Sequence, residues 1–308
     1  MQIIKDLNID FIGKRRRFFA IPVILFIVLL SVYIFKGGPN YSIDFTGGIM
    51  MQVSFDNQVE MEDVRRAVID AGISSFELQK SENTYILRAK RDIGEQKTFE
   101  DKITDAFHSA FPSNKMTVEK MEFVGPVVGE YLSKQALYAF CFAFLGIIVY
   151  VAFRFKSSLW GVVSIVGIIN DVALSFGFIV LTNKEIDITV IAALLTIAGY
   201  SINDTIVLFD RMRENLRLYI KDDFATIINR SINSILLRSI VTSVTVFIVA
   251  CALFFLGGEV IHTFAYVMVI GTVLGVYSSI FICAPLVYEY ETRKRKRLKV
   301  AKKQGKLS

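Results

Sequence analysis

The stretch GYSINDTIVLFDRMRE, residues 199–214, sets one carboxylate, Asp204, inside an otherwise apolar run that ends only at Asp210. What that carboxylate means depends on the solvent around the run, and composition identifies the solvent. The chain has 308 residues, is 53% hydrophobic and holds 26 Phe, an apolar share above that of an ordinary soluble domain. Its apolar residues gather into six blocks, roughly 18–35, 133–153, 159–181, 187–209, 236–256 and 260–288. Most approach the ~20 residues needed to cross ~30 Å of hydrocarbon. The fold class is therefore a polytopic α-helical membrane protein with six transmembrane helices. An external segment lies between helices 1 and 2.

The first block follows Lys14-Arg15-Arg16-Arg17 and runs into FKGGPNY without an A-x-A-like cleavage site. It reads as a retained span rather than a signal peptide. Basic residues set the orientation. They flank the first span, lie between spans two and three (Arg154, Lys156) and between spans four and five (Arg211 to Arg230), and follow span six as RKRKRLKVAKK. The connections TNKEID (182–187) and LGGEV (256–260) are short and poor in Lys and Arg. Both termini are thus expected in the cytoplasm and residues 37–132 outside. That segment carries 10 Lys and Arg against 16 Asp and Glu, a net −6, which leaves +12 of the overall +6 to the rest of the chain. The basic charge is a feature of the cytoplasmic side and does not point to nucleic acid. The tail, residues 291–308, is expected against anionic membrane lipid, with a ribosome or other cytoplasmic protein as the alternative. Cys141, Cys251 and Cys283 all fall in apolar blocks, without disulfide or metal-ligand spacing.

The external segment reads as a folded domain. IMMQVSF (49–55), FELQK (76–80), TYILRAK (84–90) and MTVEKMEF (116–123) have strand character, the middle two alternating about a polar turn. Residues 59–72 and 98–111 carry apolar residues at helical spacing, stopped by Gly72 and Pro112. The order β-α-β-β-α-β is that of an α+β ferredoxin-like module, a fold that names no function by itself. Paired carboxylates, a Ser/His/Asp set and a phosphate loop are all absent from the pattern. His108 and His262 read as surface or packing residues. No catalytic residue, metal site or cofactor is expected, and the chain does not read as an enzyme.

The membrane charges carry the functional signal. An ionised side chain at mid-bilayer costs at least ~2.5–3.5 kcal/mol on insertion scales. Three such residues stand out: Asp171 in GIINDVALS, Asp204, and Arg238 in ILLRSIVTS. At ~1.5 Å per residue, Asp171 lies ~18 Å into span three, near the midplane. Asp204 and Arg238 sit at similar depths on consecutive spans, so the sequence predicts an ion pair that lowers the insertion cost of both. A small rearrangement of that pair would let Asp204 take up or release a proton. Tyr200, Ser201, Asn203 and Thr205 surround Asp204. Arg238, Thr242 and Thr245 share a helix face, with Ser239 and Ser243 beside it, and Asp171 with Ser175 makes another i, i+4 pair. Asp171, Asn170, Asn203, Ser201, Thr205 and Thr242 form a secondary polar set. The alternative is interhelical polar glue worth ~1 kcal/mol per bond. Gly271-xxx-Gly275 and Ala139-xxx-Ala143 are commonplace helix-packing signals.

Four strings carry a family resemblance: GYSINDTIVLFDRMREN (199–215), NRSINSILLRSIVTSVTV (229–246), SIDFTGG (42–48) and VGPVVGEYLSKQALYAF (124–140). Together they resemble the SecD/SecF family of protein-export membrane proteins, in its SecF branch, and the likeness covers nearly the whole chain. The resemblance implies a fold of the resistance-nodulation-division superfamily and a place in the bacterial cytoplasmic (inner) membrane. It implies pairing with SecD, association with the SecYEG translocon, and preprotein substrates whose export is completed with the energy of a proton or sodium gradient. It places the family's coupling aspartate on Asp204 and its following arginine on Arg238. Members often carry His-Asp in the third span, whereas this chain has Asn170-Asp171, and Asn cannot titrate. The domains expected are 1–36 (N-tail and first span), 37–132 (external), 133–290 (spans two to six) and 291–308 (basic tail). Two rival readings are half of a small-molecule efflux transporter and a scaffold without ion coupling. The efflux reading expects a second large external insertion, whereas the turn between spans five and six is only LGGEV. The connection 211–232 is expected either at the membrane surface, transmitting movement between spans four and five, or as a solvated amphipathic linker.

Overall fold

The structure is a computed structural model of the 308-residue chain. It describes residues 8–73, 76–81, 84–89, 96–155 and 157–303. Two compact units are present, one of residues 41–139 and the other of residues 1–40 with 140–308. Lys90, expected at the end of a strand, and Glu82 and Asn83 of the expected polar turn lie outside the described residues.

In the first unit four strands form one antiparallel sheet: β1 (Gly48–Phe55), β2 (Phe76–Ser81), β3 (Thr84–Ala89) and β4 (Met116–Val124), in the order β2-β3-β1-β4. Helices α1 (Met61–Asp70) and α2 (Gln96–Ala110) complete a β-α-β-β-α-β chain. With β1 flanked by β3 and β4, this is the ferredoxin-like arrangement the pattern predicts. Alternation builds the core: Ile49, Met51, Val53 and Phe55 all point to one face of β1, where they meet Val64, Val68, Phe99, Ile103 and Phe107. Ile49 pairs Ala89 across the sheet and Val53 pairs Tyr85. Tyr85 closes the core by donating its hydroxyl to the Val59 carbonyl. One residue, Glu119, is extra on β4, so the register slips between Gln52 and Val53 and the strand bends there. On the other face Arg88 is buried, donates to Gln79 at 3.3 Å, and has its pKa lowered by burial to about 10. Two of the motif strings fold against each other in this unit. Gly47 has φ +66°, and a Cβ on Gly129 would come within 2.8 Å of the Gly47 nitrogen, so both close approaches require glycine.

Among the described residues, six helices are long and apolar enough to cross a membrane: Arg15–Lys36, Pro126–Arg154, Ser158–Leu181, Ile188–Leu218, Phe224–Leu256 and Val260–Arg295. The chain is a multi-pass membrane protein. Spans four and five outrun their apolar blocks, so the connection between them is shorter than the 211–232 expected. Most of that stretch continues the two helices, and the turn between them is confined to Tyr219–Asp223. The continuation holds because its inward positions suit a core: Met212 and Asn215 are buried, and Asn215 donates to Ser231 at 2.9 Å. Asp223 then caps the next helix by accepting from the Ala225 N–H. The tail likewise stays helical to Lys303.

The N-terminal segment is fastened to span five. Asn233 accepts from the Ile9 N–H at 3.0 Å and donates to the Ile9 carbonyl at 2.9 Å. Asn229 accepts from Phe11 and Ile12 and donates to Asp10 at 2.8 Å. Phe11 and Ile12 are buried. The Gly13 N–H, and then the Asn229 amide, hold the Asp10 carboxyl below its ordinary pKa. The connection between spans three and four packs in the same way: Lys184 lies 3.2 Å from His262 Nδ1 and over the Tyr266 ring, and burial lowers its pKa. His262 also stacks near Phe254, which is a packing role.

Candidate functional site: two carboxyls in the spans

Asp171 is wholly buried, at 0% exposure. It lies on the inward stripe of span three, with Gly167, Ile168, Leu174 and Ser175 within one turn. Its Oδ2 accepts from Ser201 Oγ of span four at 2.5 Å and from Ser278 Oγ of span six at 2.6 Å, and its Oδ1 accepts from Asn170 at 3.2 Å. Small residues make this approach of three helices feasible. A Cβ on Gly275 would stand 3.4 Å from Ser201, and one on Gly271 would overlap the Ile197 side chain. The expected packing signal on span six thus seats it against span four.

Sequence reasoning missed the contribution of span six. The consecutive Ser278 and Ser279 in an apolar run were the available signal. Residues Ser279–Cys283 form a π-helical turn, a wider coil often found at working sites. Around it Ser278 reaches Asp171 while Ser279 meets Thr205 at 2.8 Å.

Asp204 lies on the other side of span four's inward face, toward span five. It is 7% exposed and its Oδ2 has no hydrogen-bond partner. Ser239 and Ser243 face its carboxyl, and Tyr200 donates its hydroxyl to Ser243 at 2.7 Å. The predicted pair with Arg238 is not formed. Arg238 is exposed, and among the described residues it makes no ion pair with Asp204. The reason is helical phase. Ser239 faces Asp204, and the preceding residue is turned about 100° around the axis, which carries Arg238 outward. Thr242 and Thr245 share that outward face, and Thr242 returns its hydroxyl to the Arg238 carbonyl at 3.0 Å. Asn203 is exposed as well. The secondary set therefore divides: Asp171, Asn170, Ser201 and Thr205 come together, whereas Asn203 and Thr242 look away. At the end of the spans Arg154 bonds Asp210, with Arg213 3.8 Å from the same carboxylate. Among the described residues no group of three or more His, Cys, Asp or Glu could hold a metal ion.

This arrangement has known relatives. Residues 102–293 match the family described as "Protein export membrane protein SecD/SecF, C-terminal", and residues 32–59 match its "SecD/SecF GG Motif". "Protein translocase subunit SecF" of Endomicrobium trichonymphae is 60% identical over 304 residues, covering 99% of this chain and 98% of that protein. The SecF subunit of Thermodesulfovibrio yellowstonii is 37% identical over 295 residues, covering 93% and 96%. Among solved structures, SecDF from Thermus thermophilus, described as a translocon-associated membrane protein, matches with a TM-score of 0.84 and 37% identity over 93% of this chain. SecDF in a super-membrane-facing form matches with a TM-score of 0.70 and 35% identity. The chain spans 39% of the first SecDF chain and 41% of the second. By sequence over nearly its full length and by fold, this chain belongs to the SecD/SecF family of protein-export membrane proteins.

Proposed function

We propose that the chain is an accessory subunit of the Sec protein translocase. In this reading it pairs with SecD in the bacterial cytoplasmic membrane and uses a proton or sodium gradient to help complete preprotein export. It is not an enzyme and carries no cofactor. One observation carries the reading: Asp204 is a buried, half-partnered carboxyl between spans four and five, and Arg238, which makes no ion pair among the described residues, is exposed on span five of the same helix pair. A carboxyl so placed is costly unless it binds something that comes and goes.

The missing internal pair changes the mechanism expected from sequence. Arg238, Thr242 and Thr245 form an outward polar stripe on span five, and Asn203 is exposed on span four, in membrane segments where lipid offers no partner. SecD supplies the polar surface that covers it. A cation arriving at Asp204 discharges the carboxyl and relaxes its hold on Ser239 and Ser243, so that span five shifts against span four. Departure of the cation to the other side restores the packing. Span four continues as one helix past Met212 and Asn215 to the turn at Tyr219–Asp223, so the shift reaches the cytoplasmic side directly. Both termini lie on that side, where the helical tail bearing Arg293, Lys294, Arg295 and Arg297 rests on anionic lipid and leaves SecYEG accessible.

The test is export of a slow preprotein in vesicles lacking the chain, then restored with wild type or Arg238→Ala, with SecD co-purification measured alongside. The reading expects gradient-dependent export to return with wild type only, and Arg238→Ala to lose SecD or its coupling. Restoration by both variants without gradient dependence would instead indicate a scaffold. Unchanged export together with altered drug resistance would indicate an efflux component.

A further inference from the structure

Asp171 takes no part in the mechanism just described, yet it is the most enclosed carboxyl in the spans. Among the described residues, polar groups from three spans face it. Span three contributes Asn170, span four Ser201, and span six Ser278 and the Cys283 thiol. Span one packs on the same helix through an apolar side chain, Leu29 against Gly177. No Lys, Arg or His bonds the carboxyl among the described residues, and the thiol supplies no positive charge. An ionised Asp171 would therefore be hydrogen-bonded but without a countercharge inside a membrane unit.

The cage nonetheless satisfies the group in two charge states. With a proton on Oδ2, the acid O–H donates to Ser278 Oγ at 2.6 Å, and Ser278 turns its own hydrogen to the Gly275 carbonyl at 3.2 Å. Ser201 donates to Oδ2 throughout. When the proton leaves, Ser278 turns its hydrogen back to Oδ2, and no heavy atom has to move. Hydroxyls serve this purpose because they donate and accept equally. A fourth oxygen stands ready: Ser175 Oγ, one turn along the same face, is buried without a partner. A buried hydroxyl with nothing to bond calls for an explanation, and a cluster of carboxylate and hydroxyl oxygens also suits a hard cation.

We propose that Asp171, Ser201 and Ser278, with Ser175 adjoining, form a second monovalent-cation site, distinct from Asp204, which lies one turn further along span four. The ligand is a proton or a sodium ion, the chemistry these oxygens share. The inference rests on the ion-coupled reading above. Its consequence is that span four is held by one cation-sensitive contact toward spans three and six and another toward span five.

Infrared difference spectroscopy of the chain assembled with SecD in lipid tests this directly. Spectra are taken across pH in choline and in sodium, in an Asp204→Asn background that silences the first site. We expect a carboxylic-acid C=O band that titrates with pH, or that sodium removes at fixed pH, and that disappears in Asp171→Asn. The sodium arm distinguishes the two ions. Ser278→Ala keeps the carboxyl and should shift the frequency of the band, so it serves if Asp171→Asn fails to accumulate. No band that shifts in Ser278→Ala, or such a band unchanged by pH and sodium, would overturn the proposal and leave Asp171 as fixed polar packing. Export separates this failure from that of the underlying reading. Gradient dependence lost in Asp204→Asn and intact in Asp171→Asn sinks the second site alone, whereas dependence intact in both sinks the two together.

Discussion

The two units of this chain solve opposite solvent problems. In the external domain Phe107 is 1% exposed and packs with Phe55 and Phe111. In span two Phe142 is 72% exposed. Conversely, the spans bury Asp171, Ser175, Ser201, Thr205 and Ser231, while the domain keeps most of its charges at the surface. Water drives apolar side chains together in the first unit. Lipid provides no such drive in the second, so close small residues and hydrogen bonds do the holding. A polar residue is therefore ordinary on the domain surface and informative inside the spans.

The largest effect that could break this contrast is Phe107→Ala, expected to destabilise the domain by about 3–5 kcal/mol. Protease resistance of residues 41–139 in the full chain reads it out. Phe142→Ala should leave thermal stability within about 0.5 kcal/mol of wild type, because lipid replaces the lost contacts. Equal losses at the two positions would erase the distinction. Next comes Gly271→Leu, whose side chain would overlap Ile197. It should cost about 1–3 kcal/mol and lower the melting temperature of the complex in lipid. Ser243→Ala removes the partner of the Tyr200 hydroxyl and should cost about 1 kcal/mol, measured by melting and rescued by Ser243→Thr.

The smallest effect is at the N-terminal clamp. The Asp10 carboxyl is held below its ordinary pKa by the Gly13 N–H and the Asn229 amide. For a lowered acid, the stabilisation is full above the ordinary aspartate value, about 3.9, and fades as pH falls through the lowered one. Hydrogen exchange at Ile9, Phe11 and Ile12 should therefore be protected at neutral pH and accelerate, relative to the intrinsic rate, only in strong acid.

Much of this was legible in the sequence, because hydropathy blocks and period-two alternation are local signals. The six spans and the β-α-β-β-α-β order follow from them directly. The ends of spans four and five did not, since Met212 and Asn215 look amphipathic until one sees that they face a neighbouring helix. Depth along the membrane correctly put Asp204 and Arg238 at one level, but depth says nothing about azimuth. One residue of phase, Arg238 against Ser239, turned an expected pair into two surfaces. Ser278 and Ser279 were passed over because hydroxyls in a span are cheap, and only the fold brings them to Asp171 and Thr205. The glycine strings around Gly47 and Gly129 were visible as motifs, while their mutual contact was not.

The most direct test of the central claim is gradient-dependent export by Asp204→Asn, measured in vesicles with the proton or the sodium gradient collapsed and with SecD assembly verified. The account predicts normal assembly, retained gradient-independent export, and complete loss of the increment that one gradient supplies to wild type. An assembled Asp204→Asn complex that still responds to both gradients as wild type does would contradict it, and Asp204 would then be a packing residue.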